Sequence, residues 1–177
     1  MRIISGLHKS RVLKSPETDK IRPTSDRAKE TLFNMLTNRF DLKGAVLFDL
    51  FCGTGNLGLE AISRGAEKCY FVDEDVRTVK KNIELLKEQD SSEVIRSEVL
   101  GFLNLNYAIN PGLVFCDPPY DYKKYTELTE KISSMKTILV LEHSDKFVNE
   151  ERYSEQLVFN KKVGTVNFTV YDFSRGF

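Results

Sequence analysis

The sequence is poor in cysteine and proline, lacks tryptophan and contains no long apolar run. Its 177 residues include three cysteines and five prolines. Cys52, Cys69 and Cys116 are odd in number, widely spaced and set in apolar stretches, which argues against a disulfide framework and a zinc cluster. His8 and His143 show no metal-ligand spacing either. No stretch approaches the ~18 apolar residues of a membrane span, and the N-terminus lacks the apolar segment of a signal peptide. We therefore expect a cytoplasmic, monomeric protein with no membrane partner and no metal ion.

The composition is that of an ordinary folded protein, but its charge is unevenly distributed. Hydrophobic residues make up 41% and charged residues 29%, which excludes a mainly disordered chain. The 26 Lys and Arg balance the 26 Asp and Glu, and a net charge of zero argues at first against nucleic acid. Residues 1–43, however, contain ten basic against five acidic side chains, a net +5, which leaves −5 for residues 44–177. This asymmetry indicates a nucleic-acid partner, with 1–43 as a basic RNA-binding extension and 44–177 as the second domain.

The basic extension is predicted to hold a strand pair, a loop and a helix. Arg2–Ser15 is typical of a short strand pair, Pro16–Thr24 of a loop, and Ser25 of a helix N-cap. Five basic side chains are candidate phosphate contacts, and the alternative for each is a solvated charged surface: Arg2, Lys9, Arg11, Arg22 and Arg27.

From residue 45 onward, short apolar runs alternate with helical patterns, which predicts an α/β fold with a largely parallel sheet. The predicted strands are Ala45–Phe51, Lys68–Asp73, Glu93–Ser97, Leu113–Asp117 and Thr137–Glu142, followed by an antiparallel hairpin of Leu157–Lys162 and Val166–Phe173. The predicted helices are Leu57–Arg64, Asp75–Glu88 and Tyr122–Met135, whereas Leu100–Gly112 is equally compatible with a short helix and with irregular structure.

A glycine-rich turn between the first strand and its helix predicts a nucleotide-type binding site. Gly53, Gly55 and Gly58 form a Gly-x-Gly-x-x-Gly pattern, and Asp73 at the end of the next strand is placed to bind ribose hydroxyls. These features alone also fit a nicotinamide-dependent dehydrogenase. Asp49, four residues before the first glycine, instead favours a cationic ligand such as S-adenosylmethionine, although an aspartate here can also simply cap the turn backbone.

A second motif, Asp117-Pro118-Pro119-Tyr120, follows the fourth predicted strand. The Asp117 carboxylate and the Pro118 carbonyl can accept hydrogen bonds from an exocyclic amine, and Tyr120 offers a ring on which an unstacked base can stack. The alternative is a plain strand-ending turn. Its position at the carboxyl end of a strand, beside the glycine-rich strand, favours a methyl-transfer site.

Together these motifs resemble the RsmD-type family of class I methyltransferases, which methylate the N2 amine of a guanine in bacterial 16S ribosomal RNA. The resemblance spans nearly the whole chain and also includes Arg22-Pro23-Thr24, Ser63-Arg64-Gly65-Ala66 and Glu142-His143. It departs from the family at Ser5 and Ser10, where glycine is usual, and at Glu98, where aspartate is frequent.

The resemblance implies a Rossmann-like fold with a seven-stranded, mostly parallel sheet and S-adenosylmethionine as cofactor. It implies cofactor-binding roles for Asp49, Gly53, Gly55, Asn56, Asp73 and Glu98, and an amine site at Asp117, Pro118, Pro119 and Tyr120. The expected partner is 16S rRNA, either naked or within small ribosomal subunits. Alternatives are an adenine-N6 or other amine methyltransferase with the same motif, a nicotinamide oxidoreductase, and a non-catalytic RNA-binding module.

Overall fold

A computed structural model describes residues 1–15, 25–105, 109–144, 147 and 151–174. Within these residues one sheet has the strand order β3-β2-β1-β4-β5-β7-β6. Its strands are β1 (Val46–Leu50), β2 (Lys68–Asp73), β3 (Ser92–Arg96), β4 (Leu113–Cys116), β5 (Ile138–His143), β6 (Leu157–Val163) and β7 (Val166–Asp172). The first five run parallel, while β7 is antiparallel to β5 and β6 to β7. The predicted Rossmann-like α/β fold, with its closing antiparallel hairpin, is confirmed.

Helices cover both faces of this sheet. They are α1 (Asp26–Thr37), α2 (Asn56–Ser63), α3 (Arg77–Leu86), α4 (Val99–Asn104) and α5 (Tyr125–Ser133), with a 3-10 turn at Glu151–Tyr153. The segment whose structure the sequence left open therefore begins as the short helix α4. Among the described residues, no helix is long and apolar enough to cross a membrane.

Alternation along the central strands separates two hydrophobic cores. Leu47 and Phe115 face one core, formed with α1, α2 and α3, whereas Phe48 and Cys116 face the other, formed with α4 and α5. Successive side chains of a strand point to opposite faces, so strands buried on both faces are apolar throughout. This arrangement leaves the carboxyl ends of the strands for polar residues.

The N-terminal segment 1–15 pairs with itself in antiparallel fashion, but over a shorter stretch than the predicted strand pair. It makes one antiparallel bridge, between Arg2 and Val12, while Ile3 and Leu13 are buried in the core beneath α1. Its backbone turns at Gly6 and at Ser10, whose φ of 70° lies in the left-handed region. The Ile3 and Leu13 amides donate to the carbonyls of Arg11 and Met1 on either side of this bridge. Other backbone groups of the segment bind side chains of α1, α2 and α3, so the pairing does not extend into a longer ladder.

Candidate active site

The candidate site lies at the carboxyl ends of β2, β1 and β4, where the sheet order reverses direction. β1 pairs with β2 on one side and with β4 on the other, and the chain crosses back between them, as at the ligand crevice of open α/β sheets. Asp49 lies in β1, Asp73 ends β2 and Asp117 follows β4 directly. The amide of Asp117 donates to the carbonyl of Leu50 over 3.3 Å. The two predicted motifs therefore meet at one edge of the sheet.

The glycine-rich turn is constrained at two of its glycines. Gly55 has a φ of 76°, and a Cβ there would lie 2.6 Å from Cγ2 of Val79. A Cβ on Gly58 would lie 2.5 Å from the Phe71 ring and 2.9 Å from Oδ2 of Asp49. Gly55 is thus needed for its backbone conformation and Gly58 for the close approach of α2 to the sheet.

Asp49 and Asp73 both hold this turn by accepting hydrogen bonds from its backbone. Oδ2 of Asp49 accepts from the Gly58 amide over 2.9 Å, and Oδ2 of Asp73 accepts from the Gly53 amide over 2.8 Å. Oδ1 of Asp73 also accepts from the Asp75 amide. The turn-capping interpretation of Asp49 is therefore present in the structure, and ligand binding by either carboxylate would be an additional role.

Acidic groups dominate the electrostatics of the crevice. Asp49 is 2% exposed, and its burial, together with the charge of Asp73, raises its pKa to about 8 despite the Gly58 hydrogen bond. Asp117 is exposed at the mouth of the crevice. Protein atoms nevertheless crowd its carboxyl group, and this desolvation, with the charges of Glu142, Asp49 and Asp73, raises its pKa well above the usual range. Carboxyl groups whose pKa is raised by burial and mutual repulsion are suited to a cationic ligand, because a nearby positive charge favours their ionised form.

The residues around the turn fit S-adenosylmethionine in two further respects. Asn56, the first residue of α2, is 7% exposed, and its side-chain Nδ2 is a buried donor without a hydrogen-bond partner among the described residues. A Cβ on Gly53 would have no heavy atom within 4 Å, so the turn is open on that side. An acidic, partly unsatisfied and open turn is compatible with a ligand that carries ammonium, sulfonium and ribose groups.

Glu98 has a structural role that the sequence did not reveal. It is the N-cap of α4, and its Oε2 accepts a hydrogen bond from the Gly101 amide over 2.7 Å. The side chain is exposed beyond the end of β3. Its second carboxylate oxygen can still accept a hydrogen bond from an adenine amine, so cofactor binding by Glu98 stays a prediction.

The amine motif is followed by an aromatic cluster that the sequence analysis missed. Phe51 contacts Tyr122, which contacts Tyr125, with ring centroids 5.2 and 5.4 Å apart. The hydroxyls of both tyrosines are buried without a hydrogen-bond partner among the described residues, and desolvation raises the pKa of each. Phe51 has a φ of 58°, an unusual conformation for a bulky side chain and one found at functional sites. Pro118 is buried and Tyr120 is 57% exposed.

The surroundings of His143 and of the three cysteines indicate structural roles. His143 is 6% exposed, and its two ring nitrogens contact the Ser144 carbonyl and the Thr169 hydroxyl, each over 2.8 Å. Burial raises the pKa of the thiols of Cys52, Cys69 and Cys116 well above the usual range, which makes all three poor nucleophiles at neutral pH. Among the described residues, no group of three or more His, Cys, Asp and Glu side chains is arranged to hold a metal ion.

The predicted phosphate-binding side chains differ in their environment. Lys9, Arg11 and Arg27 are exposed, whereas Arg2 lies 3.0 Å from Asp26 in an ion pair. Arg22 lies outside the described residues. RNA binding by these side chains stays a prediction.

Lys29, which contributes to the positive charge of residues 1–43, does not reach the surface. It is fully buried, and its ammonium group lies 3.0 Å from Glu60. A single sequence gives little signal for this pairing, because Lys29 follows an N-cap in an otherwise charged segment and resembles a surface residue.

A cavity of about 340 Å³ lies elsewhere, against Arg39, Asp41, Lys43 and Arg64. These residues precede β1 or follow α2, at the amino ends of the strands. The cavity is therefore separated from the motif residues by the length of the sheet, and its position does not match the chemistry of the two motifs.

Comparison with known proteins finds methyltransferases among the proteins similar to this chain. The family described as conserved hypothetical protein 95 matches residues 1–172. The chain is 35% identical over 182 residues to the "Putative rRNA methyltransferase YlbH" of Bacillus subtilis, covering 97% of this chain and 98% of that protein. It is 39% identical over 127 residues to the "Ribosomal RNA small subunit methyltransferase D" of Haemophilus influenzae, covering 69% of this chain and 65% of that protein. The solved structure titled "Putative methyltransferase yhhF from Escherichia coli" superposes with a TM-score of 0.79 at 30% identity, covering 97% of both chains.

Proposed function

We propose, from the premise that the chain belongs to the RsmD-type methyltransferase family, that the protein transfers a methyl group from S-adenosylmethionine to an exocyclic amine of ribosomal RNA. The observation that carries the proposal is the meeting of Asp49, Asp73 and Asp117 at the carboxyl ends of three adjacent strands. A nicotinamide oxidoreductase would use the glycine turn and Asp73 but would leave Asp117-Pro118-Pro119-Tyr120 without a role.

The residues of the turn provide the cofactor site. S-adenosylmethionine supplies an electrophilic methyl group when bound. Asp49 offers a buried carboxylate to the cationic end of the cofactor, Asp73 accepts from ribose hydroxyls, and Asn56 donates its free Nδ2 hydrogens. Gly53 and Gly55 bring the main chain close to the ligand, and Glu98 accepts from the adenine amine with the oxygen that does not cap α4.

The residues after β4 provide the amine site. A base amine is a weak nucleophile because its lone pair is delocalised into the ring. The Asp117 carboxylate and the Pro118 carbonyl each accept one N–H, which holds the nitrogen in line for displacement and favours its pyramidal form. Pro119 stiffens the turn, and the exposed Tyr120 ring stacks on the base.

The finer substrate is the N2 amine of a guanine in small-subunit rRNA. The name of the Haemophilus influenzae relative specifies the small ribosomal subunit and supports that part of the proposal, whereas guanine N2 follows from the family resemblance alone. The exposed cations Lys9, Arg11 and Arg27, together with Arg2 and Arg22, contact RNA phosphates and form a basic extension over residues 1–43. An adenine N6 amine would satisfy the same two acceptors, so the geometry of the acceptors alone does not select guanine.

Replacement of Asp117 tests the amine site. We expect Asp117→Ala to lower methyl transfer by about 10²–10³-fold, because one acceptor of the developing charge is lost, while calorimetric binding of S-adenosylhomocysteine persists. Asp121→Ala, which removes an exposed carboxylate from the same loop, is the matched control and should leave turnover unchanged. Normal turnover of Asp117→Ala would contradict the proposed site.

Mapping of the modified base tests the substrate. The protein is incubated with labelled methyl donor and either naked small-subunit rRNA or assembled small subunits, and the labelled nucleotide is identified. Label on guanine N2 supports the proposal, whereas label on adenine N6 would replace it with the alternative. Calorimetry with S-adenosylmethionine and NAD side by side separates the methyltransferase from the oxidoreductase.

A further inference from the structure

Two buried polar side chains connect the N-terminal segment 1–15, which we call the arm, to the glycine-rich turn. The first is Lys29 of α1, which is fully buried. Its ammonium group donates to the Arg2 carbonyl over 2.6 Å and to Oδ1 of Asn56 over 2.7 Å. Its third contact is Oε2 of Glu60, at 3.0 Å. An ammonium group has three hydrogens, so these three contacts fix its position.

The second is Asn82 of α3, which is also fully buried. Its Oδ1 accepts from the Lys14 amide over 2.7 Å. Its Nδ2 donates to the Lys14 carbonyl over 3.1 Å and to the Thr54 carbonyl over 2.9 Å. Asn82 therefore binds the end of the arm and the centre of the glycine-rich turn with one amide group.

The two connections reach opposite ends of the arm. Lys29 binds Arg2 near the start of the arm and Asn56 directly after the turn. Asn82 binds Lys14 near the end of the arm and Thr54 within the turn. Packing alone does not require polar side chains at these positions. Burial of a charged or amide group lowers stability unless each of its hydrogen bonds is made. If Asn56 or Thr54 moves, the arm must move as well or leave a buried polar group unpaired.

We propose that Lys29 and Asn82 are positioning residues that couple the arm to the glycine-rich turn, so that the methyl donor and RNA bind cooperatively. The inference rests on the proposed function, which assigns the donor to the turn and RNA to the arm. A ligand that orders the turn fixes Asn56 and Thr54, and through Lys29 and Asn82 it fixes Arg2 and Lys14. Whichever ligand binds first lowers the ordering cost for the second, and linkage makes the effect reciprocal.

Hydrogen exchange of the arm, with S-adenosylhomocysteine as the probe and without RNA, tests this coupling. The reporters are the amides of Ile3, Ser10 and Leu13, which donate to Arg11, Ile3 and Met1 within the arm. We expect saturation with the probe to slow their exchange by about fivefold or more, the lower end of ordinary coupling. In Asn82→Ala this slowing should disappear although the probe still binds.

His8→Ala is the matched control. His8 also ties the arm to the body of the protein, through Glu88 after α3, but it does not contact the turn. A purely structural role would make both variants alike, with faster exchange in the arm and no change in its response to the probe. The proposal requires the response to survive in His8→Ala and to vanish in Asn82→Ala.

RNA provides the second readout. Affinity for S-adenosylhomocysteine is measured by calorimetry with and without small ribosomal subunits that carry unmethylated rRNA. We expect about a tenfold increase in wild type and less than twofold in Asn82→Ala. An arm that does not respond to the probe in wild type, or an equal response in Asn82→Ala, would overturn the coupling while leaving the methyltransferase site intact. Failure of wild type to bind the probe would overturn the proposed function and the coupling together.

Discussion

Binding of the methyl donor should release a proton from Asp49, and this release can be measured. With a pKa of about 8, Asp49 is about 0.9 protonated at pH 7. A cationic group within about 4–6 Å lowers a carboxyl pKa by about 1–3 units, and a fall of about two units would leave the residue about 0.1 protonated. We therefore expect about 0.8 proton to be released per ligand bound at pH 7, and less than about 0.1 at pH 9.

Isothermal calorimetry in buffers of different ionisation enthalpy counts these protons. Asp49→Asn is the matched variant, because its side-chain oxygen can still accept the Gly58 hydrogen bond while the titration is lost. The other acidic groups of the site, Asp73, Asp117 and Glu142, remain in both proteins, so the difference between them reports the titration of Asp49 together with its effect on Asp117. Equal proton release by wild type and Asp49→Asn at pH 7 would refute the reasoning.

The same pKa predicts how stability depends on pH. Asp49 in the folded chain keeps a proton that the unfolded chain, with a pKa near 3.9, has already released. The unfolded state therefore binds fewer protons between about pH 4 and 8, and stability falls as pH rises through that window by about 1.4 kcal/mol per unit at most. Relative to Asp49→Asn, wild type without ligand should lose unfolding free energy from pH 5 to 7 in urea titrations. A constant difference between the two proteins would contradict the raised pKa.

Three further predictions concern the turn, the arm and its charges. Gly58→Ala should lower the free energy of unfolding in urea by about 1–3 kcal/mol through overpacking, because its Cβ would meet Phe71 and Cys69 at 2.5 and 2.6 Å. Gly101→Ala in α4 is the control. A Cβ there has ordinary contacts from 3.5 Å, so this variant should be about 0.5–1 kcal/mol more stable than wild type. Ser10→Gly should stabilise by about 0.5–1 kcal/mol, since Ser10 has a φ of 70°; a lower midpoint in the same titration would refute this. Arg11→Ala and Arg27→Ala should each reduce the salt dependence of rRNA binding by about 0.7–0.9 in log–log slope, whereas Lys161→Ala on β6 should leave the slope unchanged; slopes identical to wild type in all three would exclude phosphate contacts by Arg11 and Arg27.

The sequence was most informative where local pattern and local structure coincide. The strands predicted from residue 45 onward agree with the structure within one or two residues. The agreement follows for the central strands because strands buried on both faces are largely apolar. Asp73 and Asp117 could be placed at strand ends for the same reason. Helix ends shifted where a turn replaced the first or last helical residues, as at Asp75, whose carboxylate accepts from Arg77 and so precedes α3.

Prediction failed where long-range contacts outweighed local preference. The arm was predicted to be a strand pair, but its antiparallel pairing stays short. Other backbone groups of the arm are bound by Lys29, Glu60 and Asn82, which are distant in sequence. The role of Glu98 as the cap of α4 was missed because it depended on a helix that the sequence left open, and its contact with the cofactor stays a prediction.

The sequence by itself determined the order of elements, the strand ends at which the acidic residues stand and the two motifs that point to methyl transfer. These depend on side-chain type and spacing, which a linear chain records directly. Only the tertiary structure decided that Lys29 is buried against Glu60 and Asn56, that Asn82 joins Lys14 to Thr54, and that Asp49 has a pKa near neutrality. The physical reason is that burial and pairing depend on which segments fold against one another, and a charged residue carries no local mark of the partner it will meet.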